Sequence, residues 1–262
     1  MNESERFNRT INSKYHEGPA TFSKDGSRVI FTRNSYTDGK YRDSRDGVNK
    51  LKLYIATQTN GYWSKADQLP FNSDNFSTGH PSLANGRNGE PDQLLYFSSD
   101  RPGGFGGTDI YVSTWTNGAW GIPVNLGKSV NSERNELFPF VDERGNLCVA
   151  SNGHGGLGGL DIFYVPLTGA GQPAGVLTNL GEPLNSTHDD FGIVTDGQRS
   201  RGYFSSNRKR GKADDDLYRF ARNASASDCR ELTVSVFDAD TQEPLVNTSI
   251  GMHSKNTSIS LT

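Results

Sequence analysis

The chain repeats itself, and a fixed period changes the meaning of every residue inside it. The strings YFSSDRPGGFGGTDIYV, CVASNGHGGLGGLDIFYV and YFSSNRKRGKADDDLYRF begin at Tyr96, Cys148 and Tyr203. In each, a serine (Ser99, Ser151, Ser206) precedes an aspartate (Asp109, Asp161, Asp216) by ten positions. A glycine (Gly104, Gly156, Gly211) follows each serine by five, without a gap. A fourth copy lies upstream, as RVIFTRN from Arg28 and LKLYIAT from Leu51, with a longer connecting loop that lacks the glycine pair. Asn-Ser pairs at Asn12, Asn72, Asn131 and Asn185, each after an apolar residue, put the period at roughly 54 to 60 residues.

Each unit divides into four short extended pieces. In the second unit these are HPSLA, QLLYFSS, DIYVSTW and WGIPVNLG, separated by Gly, Asn or Pro turns. Four strands per period is the mark of a β-propeller blade, whereas a sandwich does not repeat a four-stranded unit. The composition agrees. Apolar residues make up only 32%, with 30 Gly, 11 Pro and 10% aromatics, a mixture suited to many short strands and turns. No helical periodicity is present.

The predicted fold is therefore all-β: a β-propeller of four-stranded blades over residues 5–222, with four visible repeats and a place for one more upstream. The fourth copy lacks an outer strand, and RFNRTINS near the N-terminus aligns with the end of one, Phe7 and Ile11 matching Leu126 and Val130. Two closures are open to such a chain. The segment completes the fourth blade, or it is the tail of an earlier blade. Residues 223–230 read as a linker and 231–262 as the truncated start of a β-sandwich, too short for an independent core.

A formal charge of −3 with both signs interspersed gives no footprint for nucleic acid. No apolar run approaches the roughly 20 residues of a bilayer-spanning helix. The opening MNESERFNRT carries no export pattern. Cys148 and Cys229 have no CxxC spacing, and Cys148 reads as a buried strand thiol.

The glycine-rich stretches between Ser99 and Asp109 and between Ser151 and Asp161 are followed by strands, not by the helix a phosphate loop requires. A calcium turn of the GGxGxD kind recurs every nine residues, while these aspartates are 52 apart. No cofactor is expected, and calcium is the one ion the loops leave open. The favoured reading is a hairpin between the second and third strands of a blade. Asp100, Arg101, Asp109, Asp161, Arg208 and Asp216 then have structural roles in the blade loops. No GxSxG elbow and no HExxH helix is present, so the chain is expected not to be an enzyme. Acid pairs alone do not make a glycosidase.

Strand alternation puts the loop entering the first strand on the same propeller face as the glycine loops. The entering segments are HEGP, HPSL, NELF and HDDF. His16, Glu17, His80, Glu136, His188, Asp189 and Asp190 are thereby expected to ring the channel mouth. The favoured reading of that ring is a hydrated polar funnel, and the other is a site for a cation or a partner's basic tail. Trp63, Trp115 and Trp120 offer either a carbohydrate or peptidoglycan-fragment site or packing between blades.

The string HEGPATFSKDGSRVIFTRN resembles the repeat of the Tol-system periplasmic propeller and of oligopeptidase propellers. The longer pattern LPFNS…HPSL…LLYFSSDRPGGFGGTDIYVS…NLG…VNS…NELFPF…SNGHGGLGGLDIF…LNS…DDFG…GYFSSNR resembles the propeller of Bacteroidota outer-membrane-associated proteins that carry an OmpA-like peptidoglycan-binding module. LTVSVFDADTQEPLVNTSI is similar to the opening of a carboxypeptidase-regulatory-like domain. The resemblance implies a non-enzymatic scaffold in the periplasm, associated with the outer membrane. Its implied partners are envelope proteins of an assembly such as type IX secretion and gliding, and peptidoglycan through a domain outside this chain. A glycan-binding module is the first alternative, and a propeller hydrolase the second.

Overall fold

A computed structural model describes residues 7–13, 16–37, 40–41, 44, 47–208, 215–221, 241, 250–254 and 257–261. The chain divides into two compact units, Met1–Asn223 and Ala224–Thr262. Residues 223–230 and nearly all of 231–249, the expected linker and first part of the sandwich, lie outside the described residues. In the second unit, Ile250–Ser254 pairs antiparallel with Thr257–Leu261.

The first unit is a four-bladed β-propeller of antiparallel sheets. Blade 1 is built from Glu17–Phe22, Arg28–Asn34 and Leu51–Thr59, with Tyr62–Trp63 and Asp67–Gln68 both pairing to the third strand. Blade 2 has Thr78–Ala84, Leu94–Ser99, Asp109–Thr116, Ala119–Trp120 and Val124–Asn125. Blade 3 has Glu136–Val141, Asn146–Ser151, Asp161–Pro166 and Thr178–Asn179, and blade 4 has Asp190–Thr195, Arg201–Ser206 and Asp216–Ala221. Among the described residues the only helical element is the 3-10 turn Arg87–Gly89.

The outer strands are only two residues long. In blade 2 the expected strand WGIPVNLG contracts to Val124–Asn125, while Trp120 at its start pairs separately with Trp115. The first strands stack side by side, blade 1 on 2, 2 on 3 and 3 on 4, and all four border one central cavity.

Period-2 alternation sends adjacent residues of the second strand to opposite neighbours. Ile30 joins Leu53 and Leu69 of blade 1 against Leu95, Phe97 and Tyr111 of blade 2. Tyr96, Ile110 and Val112 face Leu147, Val149 and Phe163, while Cys148 and Ile162 face Ile193 and Phe204. The cores thus lie between blades, each fully buried side chain contributing about 1.5–3 kcal/mol.

Residues 7–13 pack on blade 1. Ile11 is buried with Val29, Phe31 and Tyr54, and the Phe7 ring lies 5.5 Å from that of Phe22 and 5.6 Å from that of Trp63. They form no strand beside Asp216–Ala221, so the closure in which they complete blade 4 is not the one observed. Their place on blade 1 is the one Val130 takes against blade 3.

Candidate functional site

Three of the four Asn-Ser turns, at Asn72, Asn131 and Asn185, clasp successive blades. Asn72 accepts the Leu53 N–H at 3.0 Å and donates Nδ2 to the Leu53 carbonyl at 2.7 Å. Asn131 brackets Ile110 in the same way at 2.8 and 3.0 Å, and Asn185 brackets Ile162 at 2.8 and 2.9 Å. The serine binds forward. Ser132 donates N–H and hydroxyl to Glu136 at 2.8 and 2.6 Å, Ser186 to Asp190 at 2.6 and 2.8 Å, and Ser13 to Glu17 at 3.0 and 2.5 Å. A donor from the second-strand end holds the carbonyl ahead of the asparagine: Arg33 on Ile11, Arg101 on Phe71, His154 on Val130 and Arg208 on Leu184.

Three carboxylates expected at the channel mouth are consumed by these clasps. Glu136 and Asp190 are fully buried, and a carboxylate is tolerated there because donors satisfy it. Glu136 also accepts the Ser151 hydroxyl at 2.7 Å, and Asp190 pairs with Arg208. Glu17 pairs with Arg33 at 3.1 Å. Asp189 accepts the Leu160 N–H at 2.8 Å and the Asn207 amide at 3.2 Å. His16 and His188 are exposed, and the His188 N–H donates to Ser186 Oγ at 3.2 Å. Of the seven residues, His80 alone borders the central cavity, whose lining is otherwise mostly apolar.

The glycine loops interlock with the next blade. Asp109 accepts the N–H groups of Phe105 and Gly106 at 2.6 and 3.2 Å and the Asn125 amide at 2.7 Å. Asp161 accepts those of Leu157 and Gly158 at 2.6 and 3.1 Å. Glycine is required at two kinds of position here. A Cβ on Gly156 would fall 1.7 Å from Asp161 Oδ2, and one on Gly158 would fall 2.1 Å from the His188 carbonyl of blade 4. Asp100 accepts the Ser77 N–H, and Arg101 lies over the rings of Phe76, Phe97 and Tyr111. Arg208 lies over Phe204 and Tyr218. Asp216 is exposed, and most of the loop before it, residues 209–214, lies outside the described residues. No group of three or more His, Cys, Asp or Glu side chains is placed to hold a metal among the described residues.

The tryptophans pack within the blades. Trp115 and Trp120 meet edge to face at 5.2 Å beside the core between blades 1 and 2, and Trp63 contacts Phe7 and Phe22. Cys148 is buried, its thiol pushed up to about 12 by desolvation and by the Asp142 charge, which leaves it a poor nucleophile.

The central cavity, ≈ 360 Å³, is bordered by the first strands of all four blades. All four carry a bulge against their second strand. At the bulge His80, Phe138 and Gly192 take φ of 54, 50 and 65°. Such φ is natural for glycine but costs a bulky residue about 1–3 kcal/mol, a strain that concentrates at functional sites. Here it builds a continuous aromatic stack. The His80 and Phe138 rings lie 3.9 Å apart at 9°, and Phe138 lies 4.8 Å from Phe191.

Burial lowers the His80 pKa to about 4, so the ring is neutral near pH 7. Its Nδ1 accepts the Phe138 N–H at 3.4 Å, which puts the imidazole proton on Nε2. The nearby hydroxyls of Thr21 and Ser82 accept the Leu83 and Val141 N–H groups of the following blade, both at 3.1 Å. The cavity therefore presents rings, prolines (Pro19, Pro81, Pro139) and one neutral imidazole.

Fold and site together define a four-bladed β-propeller whose consecutive blades are clasped by Asn-Ser turns around an aromatic central cavity. No family model and no curated protein matches the chain. Similar solved structures include a prolyl endopeptidase (18% identity, 72% of this chain and 23% of that one, TM-score 0.43). Others are a Mycobacterium tuberculosis puromycin-hydrolyzing peptidase (16%, 81% and 28%, TM-score 0.47) and an α-L-arabinofuranosidase from Lactobacillus brevis (10%, 84% and 72%, TM-score 0.47). The chain spans about a quarter of the length of the two peptidases.

Proposed function

We propose that this chain is a non-enzymatic scaffold of the bacterial cell envelope that binds other proteins, within an assembly tied to the outer membrane and peptidoglycan such as that of type IX secretion. The envelope setting rests on the resemblance of the repeat strings. Support for binding comes from the His80–Phe138–Phe191 stack in the central cavity. Strained, stacked rings beside prolines suit an apolar or proline-containing segment of a partner, inserted along the axis. The clasps keep the blades rigid while that segment enters.

The test is a photo-crosslinking phenylalanine analogue at position 191 in cells that make the protein, combined with Phe138→Ala. Crosslinks to a specific envelope protein, lost with Phe138→Ala while the fold by circular dichroism is unchanged, support the scaffold. The same stack also suits the face of a sugar ring. Binding of peptidoglycan fragments that Phe138→Ala abolishes, with no protein crosslink, replaces the scaffold reading by the glycan one.

A further inference from the structure

The central cavity does not end among apolar groups. Phe22 and Leu83, which border it, also line a second cavity of ≈ 330 Å³ beside the turns that follow the first strands. The floor of this second cavity is apolar, made by Ala84, Leu94, Tyr96 and Val141 from the core between blades 2 and 3. Its rim is charged, with Lys24 from blade 1, Asp92 from blade 2, and Asp142, Glu143 and Arg144 from blade 3.

These charges are not equally committed. Asp92 accepts the Lys24 N–H at 3.1 Å and pairs with Arg28 at 3.5 Å. Asp142 accepts the N–H groups of Arg144 and Asn146, both at 2.9 Å, and pairs with Arg199 at 3.0 Å. Among the described residues the side chains of Lys24 and Glu143 pair only with each other. That pair reaches from blade 1 to blade 3 at 3.7 Å with both side chains 58% exposed, and an exposed pair of this length is weak. With the two arginines behind the rim, four cations (Lys24, Arg28, Arg144, Arg199) meet three carboxylates (Asp92, Asp142, Glu143). The second cavity therefore suits one further anion.

Five residues separate Phe138 in the ring stack from Glu143 on the rim, about 16 Å of strand at about 3.3 Å per residue. About five residues of an extended, proline-containing segment cover the same span. Because core side chains close the floor, a chain end fits there and a chain passing through does not. We infer, resting on the reading of the axis as the seat of an inserted partner segment, that the segment enters with its C-terminus leading. Its terminal carboxylate takes Lys24 from Glu143, and its last side chain, which is apolar, lies on the floor. Lys24 then determines specificity, and Glu143 is the competitor that the partner displaces.

The probe is a pool of N-acetylated hexapeptides, with proline first and alanine, valine, leucine or phenylalanine elsewhere, made as free acids and as C-terminal amides. Retention by the full chain is read by mass spectrometry after equilibrium filtration. The wild type is expected to favour acids over amides by about tenfold, the scale of one charge-assisted hydrogen bond. Lys24→Met should bring that ratio to about one and Glu143→Gln should raise it, while neither changes retention of the amides. Misfolding would lower both pools, so the opposite shifts of the two variants identify the site. Equal retention of acids and amides by the wild type, a preference that survives Lys24→Met, or one that falls in Glu143→Gln would each overturn the inference. Crosslinks at position 191 to an envelope protein that Lys24→Met leaves unchanged would overturn it alone and leave the scaffold reading standing. Retention of neither pool together with no crosslink would overturn both.

Discussion

If the Asn-Ser turns are clasps, the same substitution must have very different costs at Asn131 and at Asn12. Asn131 is 2% exposed and makes three side-chain hydrogen bonds, two to the Ile110 backbone and one from Nδ2 to Asn125 Oδ1 at 2.8 Å. Asn131→Ala removes all three and strands the N–H of Ile110 between blades 2 and 3, while the Ile110 carbonyl keeps the Leu126 N–H at 3.1 Å. Each lost bond is worth about 0.5–1.5 kcal/mol, and each buried group left unpaired costs about 1–3 kcal/mol. These terms overlap, so the expected loss is about 3–4 kcal/mol. Asn12→Ala removes one local bond on a partly exposed segment, worth about 0.5–1 kcal/mol. For a unit of this size about 1 kcal/mol moves Tm by about 2–4 °C. Asn131→Ala should therefore melt about 6–16 °C below the wild type and Asn12→Ala within about 4 °C of it. The assay is thermal and urea unfolding. Equal losses at the two sites would refute the clasp, because they would mean that the bracketed strand contributes nothing.

The glycine loops allow a similar paired comparison: Gly158→Ala should lower stability by about 1–3 kcal/mol because its Cβ meets backbone of blade 4. Gly155→Ala, with nothing within 4 Å, should be near neutral in the same melt. His80, with its folded pKa near 4 against an ordinary 6.5, is neutral in both folded and unfolded states above about pH 7. As pH falls from 6.5 toward 4 the unfolded chain takes up the proton first, so stability drops by at most about 3 kcal/mol over that window. His80→Phe should flatten that part of the urea-midpoint profile, and an unchanged slope would place the titration elsewhere. Cys148 should resist iodoacetamide in native buffer at pH 8 and react fully in urea, as read by peptide mass.

Much of this architecture was legible because the sequence repeats the devices that build it. The serine-to-aspartate spacing marks the hairpin, and alternation in RVIFTRN and QLLYFSS separates the residue facing the next blade from the one facing the previous. The Asn-Ser landmarks gave the period but not their bonds, since bracket and strand lie 19 to 23 residues apart. The carboxylates were placed at the correct strand ends and with the wrong exposure. The signal was local: in NSKYHE, NSERNE and NSTHDD an acid follows the serine by four positions, within reach of its N–H and hydroxyl. Phe138 and Phe191 carried no such signal, because the stack depends on a bulge that puts Phe138 at φ 50°, which no residue pattern announces.

Burial of those carboxylates changes where recognition can occur. A ring of exposed acids and histidines would have bound a cation or a basic tail, with affinity that falls as salt rises. Glu136 and Asp190 are instead bound from within, by serines and by Arg208, and contribute rigidity. What remains along the axis is apolar and aromatic, with an imidazole held neutral by burial. Recognition by shape and stacking in such a cavity depends weakly on salt. It also depends weakly on pH above about 6, because His80 does not titrate there. A partner that salt releases from the propeller is therefore bound elsewhere, on the charged rim. Salt titration of a crosslinked partner separates the axis from the rim without any substitution.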